Sequence, residues 1–189
     1  MAKWEEYAIP LAKDHAWKAT EGFKLCVVSR GELIFEFPRA WWIDPREMSI
    51  KVANRKPPAD DYCLEVSVIR YPASQLNTPV PSIALLLQES VMNIGHLIES
   101  EDLVYHPRED IEIVWGEYRD IDEIEKREVI RHSCFTHCVK QDGGHLYGFL
   151  TYGFWPEKRE TAEPLWQHIL NTLIMDRPIK NPSIGPRIN

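Results

Sequence analysis

Residues 145–154 place apolar side chains on both faces of one extended run. Leu146, Leu150 and Tyr152 fall on one face, Tyr147 and Phe149 on the other, with Trp155 just beyond. Successive strand residues point to opposite sides, so a run like this must be covered above and below. It belongs in the middle of a sheet, and any fold for this chain must supply two covering layers.

The neighbouring segments supply the rest of the sheet. Gln141-Asp142-Gly143-Gly144 separates this run from an extended stretch over 128–139, and its glycines allow the positive φ of a hairpin turn. Upstream, Tyr62, Leu64, Val66 and Val68 alternate with Glu65 and Ser67, and 111–118 puts Ile111, Ile113 and Trp115 on one face. Leu33, Phe35 and Phe37 follow the Arg30-Gly31-Glu32 turn, so 24–29 and 33–37 read as a hairpin that Pro38 ends. Ile50 and Val52 mark a further short strand.

Two segments have helical spacing instead. After Ser82, a candidate N-cap, Ile83, Leu87, Val91, Ile94 and Ile98 form a stripe. The second helix begins near Pro164, turns Leu165, Trp166, Ile169, Leu170 and Leu173 inward, and stops at Asp176-Arg177-Pro178. Strand-rich runs interrupted by two well-separated helices predict an α+β fold, a largely antiparallel sheet with a helix on each face (an α/β/α sandwich). The 189 residues suit one domain, large enough to bury about 70% of its unfolded surface. Within it, 1–22 is an N-terminal segment pinned to the body by Trp4, Tyr7, Trp17 and Phe23, 23–176 is the body, and 177–189 is an extended arm.

The order of elements resembles the PsbP-like superfamily. The resemblance rests on Phe37-Pro38 closing a hairpin before Trp41 and Trp42, the Asn54-Arg55 turn, and the Arg70-Tyr71 strand exit before a helix. Gly144-His145-Leu146-Tyr147 and the Trp166-x-x-Ile169-Leu170-x-x-Leu173 helix complete it. The superfamily contains the extrinsic photosystem II protein PsbP, a Ran-binding nucleotide-release factor and secretion-effector chaperones. The resemblance covers about 24–175 and implies an α/β/α sandwich whose members mostly act by binding other proteins. It carries no catalytic signature, and the release factor's partner-binding residues match no positions here.

Reactive groups are present without the spacing that chemistry needs. His132, Cys134, His137 and Cys138 are soft ligands close in sequence. On a strand, however, Cys134 and Cys138 lie roughly 13 Å apart, too far to share a zinc or a disulfide. Asp142-Gly143-Gly144-His145 reads as a turn, and no Gly-x-Ser-x-Gly elbow, P-loop or Gly-x-Gly-x-x-Gly follows a strand. His96, His106 and His168 are isolated. These observations imply no cofactor and no metal.

Charge is the remaining signal. The formal net charge is −7, which disfavours nucleic acid and anionic membranes as partners. Between Glu99 and Glu128 twelve acidic residues face four basic ones, a net of −8, so the rest of the chain is near +1. Such a field speeds docking of a basic partner. Trp41 and Trp42 are adjacent, so one enters the core while the other faces out, where a tryptophan can anchor an interface.

The longest apolar run, Ile83 to Leu87, is far too short to span a bilayer. Glu5 and Glu6 occupy the place of a signal peptide's apolar core, and four cysteines are too few for a disulfide scaffold. The expectation is a cytoplasmic, non-enzymatic protein that binds another protein. Trp41, Trp42, Glu109, Asp110, Glu112 and Asp120 are its candidate contacts. The alternative is a small-molecule-binding protein, or an enzyme, with a pocket between sheet and helix.

Overall fold

The run over 145–154 is the central strand of a seven-stranded antiparallel sheet. The computed structural model describes residues 17–46, 48–73 and 80–177. Its strands are β1 Phe23–Val28, β2 Leu33–Pro38, β3 Trp42–Pro45, β4 Ile50–Ala53, β5 Tyr62–Tyr71, β6 Val104–Tyr105, β7 Glu112–Ile121, β8 Glu128–Val139, β9 His145–Phe154 and β10 Ile174–Met175. The helices are α1 Ile83–Asn93 and α2 Arg159–Thr172. The large sheet runs β3-β4-β5-β9-β8-β7-β6, and a three-stranded sheet runs β1-β2-β10.

Register sorts the side chains of the large sheet onto two faces. His132 pairs with Tyr152, Cys134 with Leu150 and Cys138 with Leu146, and Trp115 and Glu117 from β7 share this inner face. It is covered by α2 and the small sheet, which bury Trp166, Ile169, Leu170, Leu33, Phe35 and Phe37 in one core with Tyr152 and Phe154. The outer face carries Phe135, Phe149, His137 and Tyr147. There α1 buries Ile83, Leu87 and Val91 against Val114, Tyr118 and Phe135 of β7 and β8. A helix therefore lies on each side, but α1 covers only part of its face. Among the described residues, no helix covers the outer side of β3, β4 and β5.

The expected hairpin 24–37 forms, yet it stacks over the large sheet as a layer of its own. What permits the approach is Gly148 on β9. A Cβ there would stand 2.5 Å from both Leu33 Cδ1 and Thr136 Oγ1. Two further bonds tie β2 to α2: the Glu36 amide donates to Thr172 Oγ1 at 3.1 Å, and His168 Nε2 lies 2.8 Å from Glu36 Oε2. His168, isolated in sequence, also stacks on Phe23 at 4.0 Å.

Both helices differ from expectation at one end. The stripe from Ile83 to Ile98 stops being helical at Asn93, because Gly95 at φ +87° turns the chain and its amide donates to the Met92 carbonyl at 2.9 Å. Ile94 is exposed, while Ile98 is buried over β7. The second helix starts five residues before Pro164, following a short 3₁₀ turn at Pro156–Lys158. The Arg159–Glu163 ion pair at 2.6 Å spans its first turn, and Pro164, in the second, supplies no amide donor. Trp4 and Tyr7, and the arm beyond Arg177, lie outside the described residues. No helix among the described residues is long and apolar enough to cross a membrane.

Candidate functional site

The open part of the outer face holds a cleft of about 150 Å³. Its floor is Cys63 of β5 with Thr151 and Gly153 of β9 and Arg131 of β8. One wall is the loop before β5, carrying Asp60 and Asp61, and the other is the β7–β8 turn, carrying Asp122 and Glu125. With Glu65, five carboxylates line the cleft against two cations, Lys51 and Arg131.

Local bonding sets these groups in place. Asp122 Oδ1 accepts the amides of Ile124 and Glu125 at 2.9 and 2.8 Å, which folds the turn over the cleft. Burial acts to raise the Asp61 pKa, but its bonds to Arg55 and Asn54 outweigh that and hold it below its ordinary value. Arg131 donates to Asp120 Oδ2 at 2.9 Å; burial acts to raise that carboxyl too, but Arg131, the Ile121 amide and His96 together hold it low. Trp155 closes one end, donating to the Asp60 carbonyl at 3.2 Å with the Arg127 guanidinium 4.3 Å above its ring.

The six residues singled out in the sequence separate into four places. Trp41 is buried and stacks on Tyr62 at 5.8 Å. Trp42 is 36% exposed on edge strand β3. Through Ala53 it shares a cross-strand row with Cys63 of the cleft floor, roughly 10 Å away across two strands. Asp120 borders the cleft through Arg131. Glu109, Asp110 and Glu112 gather at the start of β7, about 27 Å from Asp120 at the spacing of a strand. There Arg108 engages Asp110, and Glu112 Oε2 lies 3.0 Å from His137 Nδ1. Sequence reasoning treats 99–128 as one acidic field. It misses Asp60 and Asp61, which only the β5–β9–β8 pairing brings opposite Asp122 and Glu125.

A second concavity, about 300 Å³, lies on the inner side between β7 and α2. Trp115, His132 and Trp166 form its aromatic wall, and Glu117, Arg159 and Glu163 a charged one. Arg159 grips Glu117 through two bonds of 2.6 and 2.9 Å and reaches Glu163 at 2.6 Å. His132 Nε2 lies 3.1 Å from Glu117 Oε2. Burial pushes the Glu117 carboxyl up, and Arg159 and His132 together overcome it, so its pKa falls below the ordinary value. His132 moves down as well, because burial outweighs the Glu117 bond. The imidazole is therefore neutral at pH 7. It donates through Nε2 to an acceptor-only carboxylate, which leaves Nδ1 as a lone-pair acceptor.

Two cysteines of the 132–138 run share the inner face with this cavity's His132. Burial raises the Cys138 thiol to about 11 and Cys134 further still, so neither is a thiolate at neutral pH.

A model of the Alr1449 family matches residues 24–179. The chain belongs to the Alr1449 family. It is 31% identical over 186 residues to "Uncharacterized protein alr1449" of Nostoc sp. (strain PCC 7120), covering 97% of this chain and 93% of that one. The matched span of the Alr1449 model takes in both sheets, both helices and both concavities. Among solved structures, cyanobacterial PsbP (CyanoP) from Synechocystis sp. PCC 6803 has a TM-score of 0.56 at 12% identity, with 84% of this chain and 95% of that chain covered. The Saccharomyces cerevisiae Ran-binding protein Mog1p has a TM-score of 0.50 at 8% identity, with 81% and 95% covered. A Bacteroides thetaiotaomicron VPI-5482 protein reaches 0.53 at 11% identity over 82% of this chain, which spans 49% of its length. At such identities the likeness is one of fold. This Alr1449-family chain thus has the PsbP-like fold that its element order resembles.

Proposed function

We propose that this protein binds a basic partner protein, seating a lysine or arginine of the partner in the acidic cleft of the open sheet face. The observation that carries the reading is the convergence of Asp60, Asp61, Glu65, Asp122 and Glu125 on one recess. A cavity near 150 Å³ admits a group of about benzene's size, which suits one guanidinium or ammonium head. Trp42, exposed on the same face, is the aromatic anchor at its edge. The fold supports the reading as well, since one structure that shares it is named as a Ran-binding protein.

The test separates the cleft from the other acidic cluster. Partners are captured from lysate on the full chain, and each is then titrated against purified variants by fluorescence anisotropy. Asp60→Lys/Glu125→Lys should weaken binding at least tenfold, and rising salt should weaken the unaltered protein in the same direction. Reversal of Glu109, Asp110 and Glu112 should leave the affinity unchanged. Partners that bind the cleft variant as tightly as the parent would end the proposal.

A further inference from the structure

On the outer face α1 stands over β7 and β8, and among the described residues no second helix lies beside it. The half-layer left over runs along β5. Register puts Cys63, Glu65, Ser67, Ile69 and Tyr71 of β5 on this face, with Ile69 paired to Tyr147. One end of the strip is the acidic cleft, floored by Cys63. The other end is apolar: Ile69 is 47% and Tyr71 45% exposed, and the Tyr71 ring meets that of Tyr147 edge-on at 5.6 Å. Phe149, partly exposed, lies between the two ends as the partner of Ser67. Ile69 is six residues from Cys63, roughly 20 Å along the strand.

The two ends specify an occupant that is basic at one end and apolar at the other. Charge sets the sign. Of the two cations at the cleft, Arg131 is engaged by Asp120, and Lys51 is flanked in its cross-strand row by Asp44 and Glu65. Backbone bonding sets the conformation. β5 is paired on both sides, to β4 and β9, and so has no free ladder to lend. An extended segment laid across it would find no strand partner for its amides and carbonyls, whereas a helix bonds its own. The width agrees. β5, β4 and β3 span about 14 Å beyond β9 at ~4.8 Å per strand, which seats one helix of about 10–12 Å diameter beside α1. Trp42, in the row of Ala53 and Cys63, bounds the strip on its far side. At 1.5 Å per residue, 20 Å is about 13–14 residues, two heptads, which returns to nearly the same helix face.

We infer that the strip along β5 seats an amphipathic helix of the partner protein. An arginine or lysine of that helix enters the acidic cleft, and apolar side chains two heptads away lie on Ile69 and Tyr71. The inference rests on the cleft reading above and adds to it the conformation of the partner segment and a second, apolar contact.

The test uses the full chain and fluorescein-labelled peptides of about 20 residues, alanine-rich so as to be helical, titrated by anisotropy up to about 1 mM. The probe carries two leucines on one face and two arginines two heptads away, and is made in both chain directions. Three comparators change one property each: a central proline breaks the helix, glutamines replace the leucines, or glutamates replace the arginines. One direction of the probe is expected to bind, the proline peptide at least about tenfold and the glutamine peptide at least about fivefold more weakly, and the glutamate peptide not at all. Ile69→Asp should erase the difference between the leucine and glutamine peptides, and Ile69→Ser replaces it if that variant does not fold. A proline peptide as tight as the probe, leucines that add nothing, or a leucine gain that survives in the Ile69 variant would overturn the helix. The cleft reading would still stand in those cases if Asp60→Lys/Glu125→Lys weakens every arginine peptide. Binding indifferent to that double reversal would overturn both, and a probe that fails to bind in either direction would overturn the helix alone.

Discussion

Substituting Gly148 by alanine tests whether the two sheets approach as closely as described. The new methyl would stand 2.5 Å from Leu33 Cδ1 and from Thr136 Oγ1, whereas carbon atoms rest about 3.5–4.0 Å apart. One side or the other must move by an ångström or more. Both obstacles are side-chain ends, which in open surroundings would swing away cheaply. Leu33 and Thr136 are fully buried, however, so neither has anywhere to go. Overpacking of this kind costs roughly 1–3 kcal/mol. At about 2–4 °C per kcal/mol for a chain this long, the melting temperature should fall by roughly 2–12 °C. Urea denaturation of Gly148→Ala, Leu33→Ala and the double variant measures the coupling. Leu33→Ala alone should cost about 2–5 kcal/mol, and the added methyl should recover part of that loss by occupying the emptied space. The expected coupling is therefore favourable, by about 1 kcal/mol or more. A Gly148→Ala protein within ~0.5 kcal/mol of the parent, with additive effects in the double variant, would refute the close contact between β2 and β9.

Three further outcomes follow from side-chain environments. Trp41→Ala should cost about 3–5 kcal/mol in urea denaturation, while Trp42→Ala should cost under about 1 kcal/mol, since only the former lies in the core. His132 titrates lower in the folded protein than its ordinary 6.5, so its contribution is whole above pH 6.5 and is lost as the pH falls through the folded value. The parent should thus lose stability as the pH falls below about 6.5, with a slope that His132→Gln flattens in the same denaturation series. Arg159→Met removes the cation from half-buried Glu117 and should cost about 1–2 kcal/mol, less than the ~3–5 of a fully buried pair. In that variant the Glu117 carboxyl should titrate closer to its ordinary value, which ¹³C NMR reads directly.

Patterns that repeat along one segment are legible in the amino-acid sequence itself. The two-sided apolar run at 145–154 announces the central strand, and the Tyr62-to-Val68 alternation announces its neighbour. Patterns formed between distant segments are not legible in this way. β6 and β10 have two residues each, too few to show a period, so periodicity alone merges the second sheet with the first. The α1 stripe continues to Ile98 on spacing alone, because a buried loop residue can fall in phase with the helix before it. The same limit governs the sites. Asp60 and Asp61 are about sixty residues from Asp122, so no local spacing links them. A strand reading of 128–139 correctly keeps its thiols apart, but it carries no hint that Glu117 and Arg159 meet His132 from the next strand and a distant helix.

The pairing of β10 with β2 has a bearing on how the chain matures. Ile174 and Met175 hydrogen-bond to Ile34 and Leu33, across about 140 residues. During synthesis the opening hairpin can close early, but one of its edges stays unpaired until α2 and β10 have emerged. Any ribosome-bound fragment cut short of Thr172 therefore carries an unprotected strand rich in phenylalanine, and stalled translation there should yield a species that sticks to others of its kind.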